Sequence, residues 1–465
     1  MINEHLEANK PQVKKLIEEH KWKELASLVK DWPNPEVADL LLELDKGERL
    51  LFYRSLPRSR AANVFAHLDV EYQDAFVKEL SDEDNRHLLA NLNPDDRTAL
   101  LEELPAGVTQ RLMKLLSPED LREARQLLGY PEESIGRLMT PDYIAVRKDM
   151  TIAEALRHAR EIGKDRETFN VIYVTDESGK LLDSLRLRRF IMGNPEDKVE
   201  SIMDYKYVSL SAFEDRERAV DIFQRYDIYA LPVVDSEGAL LGIVTLDDVI
   251  DVAEEEATED FHKGAAVAPL DAPYNLVGVR TLFSKRIPWL LILVVVGLAS
   301  SFVISRFEEV LEAVVILAFF IPLLIDSGGN TGAQSATLMV RAISTREVTL
   351  GQWWQVLRKE LMVGLTLGVA MGAACFAMGV AMGWILDTGD LLWSIGIVVG
   401  SSMICIILMA NLLGTLLPFV LTRVGFDPAV ASSPLITTIC DIFGLVIYFS
   451  IAAVVLRDHL IALAA

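Results

Sequence analysis

Cysteine is scarce. The chain has three in 465 residues, Cys375, Cys405 and Cys440, and each lies inside an apolar run. That excludes a disulfide framework, and no Cys/His cluster has zinc spacing. No phosphate-binding Walker loop, redox motif or nucleophile–base set stands out, so no enzyme is expected. Basic residues are also in short supply, 45 Lys/Arg against 67 Asp/Glu. The imbalance is local: 38 of the basic and 56 of the acidic residues fall in the first 286, a formal charge of −18 there. A surface so acidic excludes nucleic acid as a partner and favours cations or basic partners. The opening residues are charged and polar, so no cleavable signal peptide is expected.

What is present begins with an internal period. Leu44, Leu56, Leu68, Leu80, Leu92, Leu104 and Leu116 stand twelve residues apart. Each precedes a residue that turns the chain or caps a helix: Asp45, Pro57, Asp69, Ser81, Asn93, Pro105 and Ser117. One short helix and one turn per unit predicts an α-solenoid over about 1–130, stacked at right angles, in which each unit buries its face against its neighbours. A single long helix is excluded because Pro57 and Pro105 would break it.

A second repeat follows. "IGRLMTPDYIAV" (135–146) parallels "VESIMDYKYVSL" (199–210). "VTDESGKLLDSLRLRRFI" (174–191) parallels "VVDSEGALLGIVTLDDVI" (233–250). Each copy reads helix, strand, Asp-x-x-Gly turn, strand, helix. The pattern resembles a tandem pair of cystathionine-β-synthase (CBS) domains over 131–250, most specifically in "LPVVDSEGALLGIVTLDDVI" (231–250). Such domains pack in pairs, commonly dimerise and often bind adenine nucleotides through a Thr/Ser-x-x-Asp. Thr245 and Asp248 supply it in the second copy, whereas Arg189 takes the acidic place in the first. Nucleotide binding is therefore a minor expectation.

A helix continues through an acidic segment, past Pro269 and Pro273, as a connecting or plug element over 251–280. Beyond it, 281–465 carries five apolar spans, near 287–305, 313–340, 361–386, 391–421 and 429–456, each long enough to cross a bilayer. Arg280, Lys285, Arg286, Arg341, Arg346, Arg358, Lys359 and Arg423 gather on one side, with Arg306 and Arg457 on the other. By the positive-inside rule the N-terminal domains are cytoplasmic and the C-terminus outside, in a multi-pass protein of the cell inner membrane.

Two spans carry polar groups at membrane depth. In "FFIPLLIDSGGNTGAQSATLMVRA" (319–342), Pro322, Gly328, Gly329 and Gly332 weaken a helix, and Asp326, Asn330, Thr331, Gln334, Ser335 and Thr337 offer oxygens. Either the backbone breaks there and its freed carbonyls coordinate ions, or the small residues only let helices approach. In the last span, Asp441 follows Ser432, Ser433, Pro434, Thr437 and Thr438. A mid-membrane carboxylate costs ~2.5–3.5 kcal/mol on insertion scales. Two such acids facing each other across a two-fold dimer would suit a hydrated Mg²⁺; a protonated Asp441 bonded to a neighbouring helix is the alternative. The spaced Gly364, Gly368, Gly372, Gly379 and Gly383 of the third span read as helix packing.

The cytoplasmic acids form a further group. Asp247, Asp248, Asp251, Glu254, Glu255, Glu256, Glu259 and Asp260 crowd about four helical turns with no lysine before Lys263. Like-charge pairs four apart cost ~0.2–0.5 kcal/mol each, so either a cation compensates them or they form a solvated acidic face. Glu214, Asp215, Glu217 and Asp227 stand nearby in sequence, and Asp95 and Asp96 at a solenoid turn are candidates to reach across.

The whole order resembles the MgtE family of bacterial magnesium channels: acidic helical solenoid, tandem CBS domains, plug helix, five-helix transmembrane pore domain. The motifs that carry the likeness are "EATEDFHKGAAV" (256–267), "SGGNTGAQSATLMVRA" (327–342), "ANLLGTLLPF" (410–419) and "SSPLITTICD" (432–441). The resemblance implies a homodimer in the lipid bilayer that takes up Mg²⁺ through a central pore lined by the second and fifth spans. Asp441 would hold the hydrated ion, with Asp326, Gly328, Gly329, Asn330, Thr337, Ser433 and Thr437 around it. It also implies closure by cytosolic Mg²⁺, bound by Asp95, Asp215, Asp227, Asp248, Asp251, Glu256, Glu259 and Asp260. Ala333 and Ser433 stand where family members often carry Asn, and Asp326 where a small neutral residue is expected. Asp326 is therefore expected to replace lost ligands as a second acidic ring. Two other readings stay open, a Na⁺- or H⁺-coupled carrier of divalent cations and a membrane-anchored CBS nucleotide sensor.

Overall fold

The structure is a computed structural model that describes residues 4–163, 166–270, 274 and 277–464; Pro273, a landmark of the linker above, lies outside the described residues. The chain divides into two units, 1–255 and 256–465, each taken by itself.

The first unit opens with ten helices: α1 (Glu4–Glu18), α2 (Trp22–Leu28), α3 (Asn34–Glu43), α4 (Lys46–Ser55), α5 (Arg58–Ala66), α6 (Val70–Glu79), α7 (Asp82–Leu89), α8 (Pro94–Glu103), α9 (Ala106–Met113) and α10 (Pro118–Leu127). The periodic leucines Leu44, Leu56, Leu68, Leu80, Leu92 and Leu104 are all buried in one continuous core. Each residue after a periodic leucine takes the N-cap position of the next helix. Only the serines cap with their side chains. Ser81 Oγ accepts from Asp84 N, and Asp84 returns a bond to Ser81 N, a reciprocal capping box.

Two three-stranded sheets follow, each with its helices. Short α11 (Ile135–Leu138) leads to β1 (Ala145–Arg147), α12 (Ile152–Ile162), β2 (Val171–Thr175), β3 (Leu181–Arg186) and α13 (Leu187–Met192). The second copy has β4 (Leu210–Ser211), α14 (Glu217–Tyr226), β5 (Ala230–Val234), β6 (Leu240–Thr245) and α15 (Leu246–Gly264). In both sheets the first strand pairs parallel with the second and the second antiparallel with the third. The hairpin turns follow from sequence: Gly179 and Gly238 adopt φ of +84° and +85°, and Asp176 and Asp235 fold back to accept backbone N–H groups across each turn.

The second unit contains five helices long and apolar enough to span a membrane. They are α16 (Val279–Arg306), then, after short α17 (Glu308–Ala313), α18 (Ile321–Ser344), α19 (Trp353–Ile385), α20 (Leu392–Val424) and α21 (Ser433–Val455), with α22 (Arg457–Ala464) at the end. The expected break at the glycines of the second span is absent. A 3₁₀ turn (Val315–Phe320) leads directly into α18, which has Pro322 in its first turn and then runs unbroken through Gly328, Gly329 and Gly332. Those glycines are close-approach positions. A Cβ would sit 2.6 Å from Ile406 at Gly328, 2.4 Å from Thr437 at Gly329 and 2.8 Å from Ile436 at Gly332. Gly328 and Gly329 are thus buried packing residues within an unbroken helix. The glycines of α19 pack as expected: Gly368, Gly372 and Gly379 lie against the backbone of α20.

Candidate functional site: a polar stripe in the membrane and two acidic groups outside it

One face of α18 is buried and built of small residues: Gly328, Gly329, Gly332, Ser335 and Ala336. The other face is polar and exposed. Asp326, Asn330, Gln334 and Thr337 recur at intervals of three and four, and all are exposed in the single chain. Asn330 Nδ2 donates to Asp326 Oδ2 at 3.2 Å. Lipid cannot satisfy such a stripe, so it must face water, an ion or protein.

Asp441 lies on α21, which packs directly on α18 through Gly329 against Thr437 and Gly332 against Ile436 and Cys440. Asp441 is half-buried and within electrostatic reach of Asp326. The two acids thus stand on neighbouring helices within electrostatic reach of each other. Thr437 Oγ1 donates to Ser433 O at 2.6 Å, which leaves its oxygen free to accept or coordinate. Ser433 is exposed at the first turn of α21.

A buried polar junction holds this face in place. Asn411, only 2 % exposed within α20, accepts from Ser335 Oγ of α18 at 2.7 Å. Its Nδ2 donates to the Glu360 carbonyl of α19 at 2.8 Å and to Glu360 Oε2 at 3.1 Å. One side chain therefore ties three spans. It lies within the quoted motif at 410–419, but nothing in that motif revealed its partners.

In the first unit, Asp95 and Asp96 of α8 meet Asp247, Asp248 and Asp251 of α15, with Glu167 beside them. Burial, then the Asp248, Asp96 and Glu167 carboxylates, holds Asp95 well above the usual carboxylate range. Burial, then Asp247 and Asp251, pushes Asp96 up to about 6. Burial, then Asp247, Asp96 and Asp142, raises Glu167 to about 7. Burial also lifts Asp248 to about 7 against the opposing Thr245 hydroxyl bond of 2.5 Å, with Asp247, Asp96 and Glu167 adding to the rise. Among the described residues no three His, Cys, Asp or Glu side chains close into a ready-made metal cage. Glu167 carried no sequence signal, being an acid in a short loop of mixed charge. Asp215 and Asp227 are not in this group. They flank the two ends of α14, where Asp215 Oδ1 accepts from Glu217 N and Asp227 takes a left-handed φ of 49°. About 15 Å of helix separates them, so within one chain they cannot share an ion.

The remaining plug acids lie in the second unit. Glu259 pairs with Lys263 at 2.7 Å, and Lys263 also reaches Asp427 Oδ2 at 2.6 Å in the loop before α21. Asp260 is raised by burial and by Asp427, against Lys263 and Arg341. Glu256 stands one turn earlier on α15. Sequence reasoning missed Asp427, although an Asp-Pro directly before a span was a visible sign.

The first unit also holds a cavity of about 640 Å³. Arg186, Arg188 and Lys206 line it together with Tyr207, Tyr226, Tyr229, Ile191 and Met192, and no acid does. Thr245 and Asp248 are absent from its wall; they face the acidic group instead. The nucleotide-binding positions expected from the second repeat are therefore not where the cavity lies.

Three family profiles match. One described as a divalent cation transporter covers 321–451, the MgtE intracellular N domain covers 32–133, and CBS domains cover 135–192 and 199–255. The magnesium transporter MgtE of Thermus thermophilus is 45% identical over 335 residues, 72% of this chain and 73% of that protein. The MgtE of Bacillus subtilis is 37% identical over 70% of each chain. Among solved structures, the cytosolic domain of the Mg²⁺ channel MgtE in complex with ATP superposes with a TM-score of 0.50 at 37% identity, covering 52% of this chain and 98% of that one. The soluble part of a magnesium transporter gives 0.52 at 26% identity, over 54% and 99%. These relatives are named as transporters and not as enzymes. Identity of that extent, with profiles falling on the solenoid, the paired domains and the spans in order, means that the chain belongs to the MgtE family of magnesium transporters.

Proposed function

We propose that the protein is a homodimeric Mg²⁺-selective channel whose pore is lined by α18 and α21. The observation that carries this is the exposed polar stripe Asp326, Asn330, Gln334 and Thr337 on a membrane-spanning helix beside Asp441. Two copies related by a two-fold axis would bring four carboxylates to one constriction. Mg²⁺ sheds water reluctantly, so it would pass with most of its shell, steadied by carboxylates and by the Asn330 and Thr437 oxygens. No residue of α16 is buried, and only part of its surface, around Val303 and Ile304, packs against the core, which leaves the rest for lipid and a second copy. Orientation follows the basic residues, with the acidic unit inside, the C-terminus outside and the inner membrane as the site of uptake.

Closure by cytosolic Mg²⁺ follows from the acids. Asp95, Asp96, Asp247, Asp248, Asp251 and Glu167 repel one another when ionised. A divalent cation that bridges them favours the compact arrangement over the open one, and by linkage each controls the other. The test is Mg²⁺ flux into liposomes. Asp441→Ala is expected to reduce flux at least ~10-fold, equivalent to ~1.4 kcal/mol. Asp326→Asn is expected to reduce it less and to weaken block by other divalent cations. Flux unchanged in Asp441→Ala would overturn the pore assignment.

A second reading concerns the cavity in the paired domains. Three cations and three tyrosines, in a half of the molecule that is otherwise acidic, suit an aromatic ligand that carries phosphate. The related solved domain holds ATP. We infer that this cleft takes an adenine nucleotide, with Arg186, Arg188 and Lys206 toward its phosphates. Calorimetric titration of the full-length protein with ATP tests it, and no heat of binding would sink it.

A further inference from the structure

Asp183 is an anomaly in β3. Its carboxylate is fully buried, and among the described residues no ion pair reaches it. A buried charge persists only if hydrogen bonds replace its water. Here the replacement is backbone. Asp183 Oδ1 accepts from Ser184 N at 2.8 Å, and Oδ2 accepts from Asp204 N at 2.9 Å and Tyr205 N at 3.0 Å. Two successive N–H groups aimed at one oxygen form a small anion nest. The nest holds Tyr205 at a φ of +56°, a conformation that bulky residues seldom adopt.

Asp204 and Tyr205 lie in the connection between the two repeats, and the next two residues, Lys206 and Tyr207, enter the wall of the cavity. Two further ties hold the connection. Arg189 donates to Ile202 O at 3.0 Å and to Asp204 Oδ2 at 2.7 Å, and Tyr207 Oη donates to Leu181 O at 3.1 Å. Arg186 and Arg188 stand on regular structure, β3 and α13, whereas Lys206 is set only by this connection. Arg189, in the place where a ribose-binding acid is usual, instead closes the connection.

We propose that Asp183 is the positioning residue of the cleft, the buried anion that fixes the 204–207 connection so that Lys206 presents its ammonium group to a bound phosphate. The inference rests on the nucleotide reading above. It is tested by titrating ATP and adenosine into the full-length protein as wild type, Asp183→Asn, Lys206→Met and the double variant. A positioning role predicts that Asp183→Asn weakens ATP ~10-fold while adenosine stays within ~2-fold, that Lys206→Met does the same, and that the double variant is no worse than either single one. Equal losses for ATP and adenosine, an unchanged ATP affinity, or fully additive losses would each overturn it. A wild type that binds neither ligand would remove the nucleotide reading and this inference with it. A wild type that discriminates and an Asp183→Asn that discriminates equally well would remove only the inference. Should Asp183→Asn fail to fold, hydrogen exchange on the wild type decides. The Asp204 and Tyr205 amides must be protected ~100-fold or more in the free protein, although both residues are exposed; rapid exchange would overturn the role.

Discussion

Lys263 Nζ sits 2.6 Å from Asp427 Oδ2 and so joins the last turn of α15 to the loop that leads into α21. The same ammonium group holds Glu259 at 2.7 Å. Asp427 in turn caps the short turn after it, its Oδ1 accepting from Ala429 N at 2.8 Å. Burial works against the charged lysine, but the bonds to Asp427 and Glu259 outweigh it and raise its pKa. The last turn of α15 is thus held to the loop before α21 by its own cation.

Lys263→Met is expected to loosen that hold where no divalent ion replaces it. A partly exposed pair of this kind contributes ~0.5–1 kcal/mol. Basal Mg²⁺ flux at the lowest internal Mg²⁺ should rise ~2–5-fold by the same free-energy arithmetic, with closure at high Mg²⁺ retained. Liposome flux at two internal Mg²⁺ levels measures both. A variant that is equally closed at low Mg²⁺ would show that the pair does not gate.

The acids of α8 and α15 set a pH dependence. Their folded pKa values lie above the ordinary carboxylate range, so between pH ~4 and about 7 the folded unit binds more protons than the unfolded chain. Stability therefore falls as pH rises through that window. Without divalent ions the melting temperature should drop by several degrees from pH 5.5 to 8, since ~1 kcal/mol moves it ~2–4 °C in a unit of this size. Saturating Mg²⁺ should flatten the slope, and the Mg²⁺ midpoint should rise as pH falls because protons compete for the same oxygens. Thermal melts across pH, with chelator and with Mg²⁺, check the sign.

Much of the architecture was visible in sequence because it is periodic. The twelve-residue leucine period, the doubled Asp-x-x-Gly hairpin and the five apolar runs each fix an element locally. The site was less visible because local chemistry leaves two outcomes open. Gly328 and Gly329 in an apolar run permit either a broken helix or a tight contact, and only Ile406 and Thr437, far along the chain, decide for contact. Lys263 and Asp427 are 164 residues apart, and Ser335 and Asn411 are 76 apart. Glu167 became part of the acidic group through the fold of its loop and not through any motif.

The Asn411 junction is expected to be costly to remove. Asn411→Leu preserves bulk but leaves Ser335 Oγ without its inter-helix acceptor and removes the side-chain donor to Glu360. Polar bonds between spans are worth ~0.6–2 kcal/mol. The detergent-solubilised protein should melt several degrees lower and conduct Mg²⁺ less well. Ser335→Ala removes only one inter-helix bond, beside its bond to Thr331 O within α18, and should cost less than half as much. Equal stability of Asn411→Leu and wild type would show that packing alone holds the three helices.

Gly414 on α20 gives the sharpest steric test. A Cβ there would lie 2.2 Å from the Gly332 carbonyl oxygen and 3.0 Å from Ser335 Cβ, so α18 itself would have to move. Backbone cannot yield as a flexible side chain can, and overpacking of this kind costs ~1–3 kcal/mol or more. Because Gly332 lies between the Asn330 and Thr337 positions of the polar stripe, the displacement would carry that stripe with it. Gly414→Ala should therefore lower flux ~10-fold or more even in protein that still folds. Gly444→Ala on α21 is the matched control: its new methyl would meet nothing nearer than Ile406 at 3.8 Å, an ordinary contact. Yield and flux of the two variants, measured side by side, separate a specific shift of α18 from a general intolerance of added bulk, and parity between them would contradict the packing described.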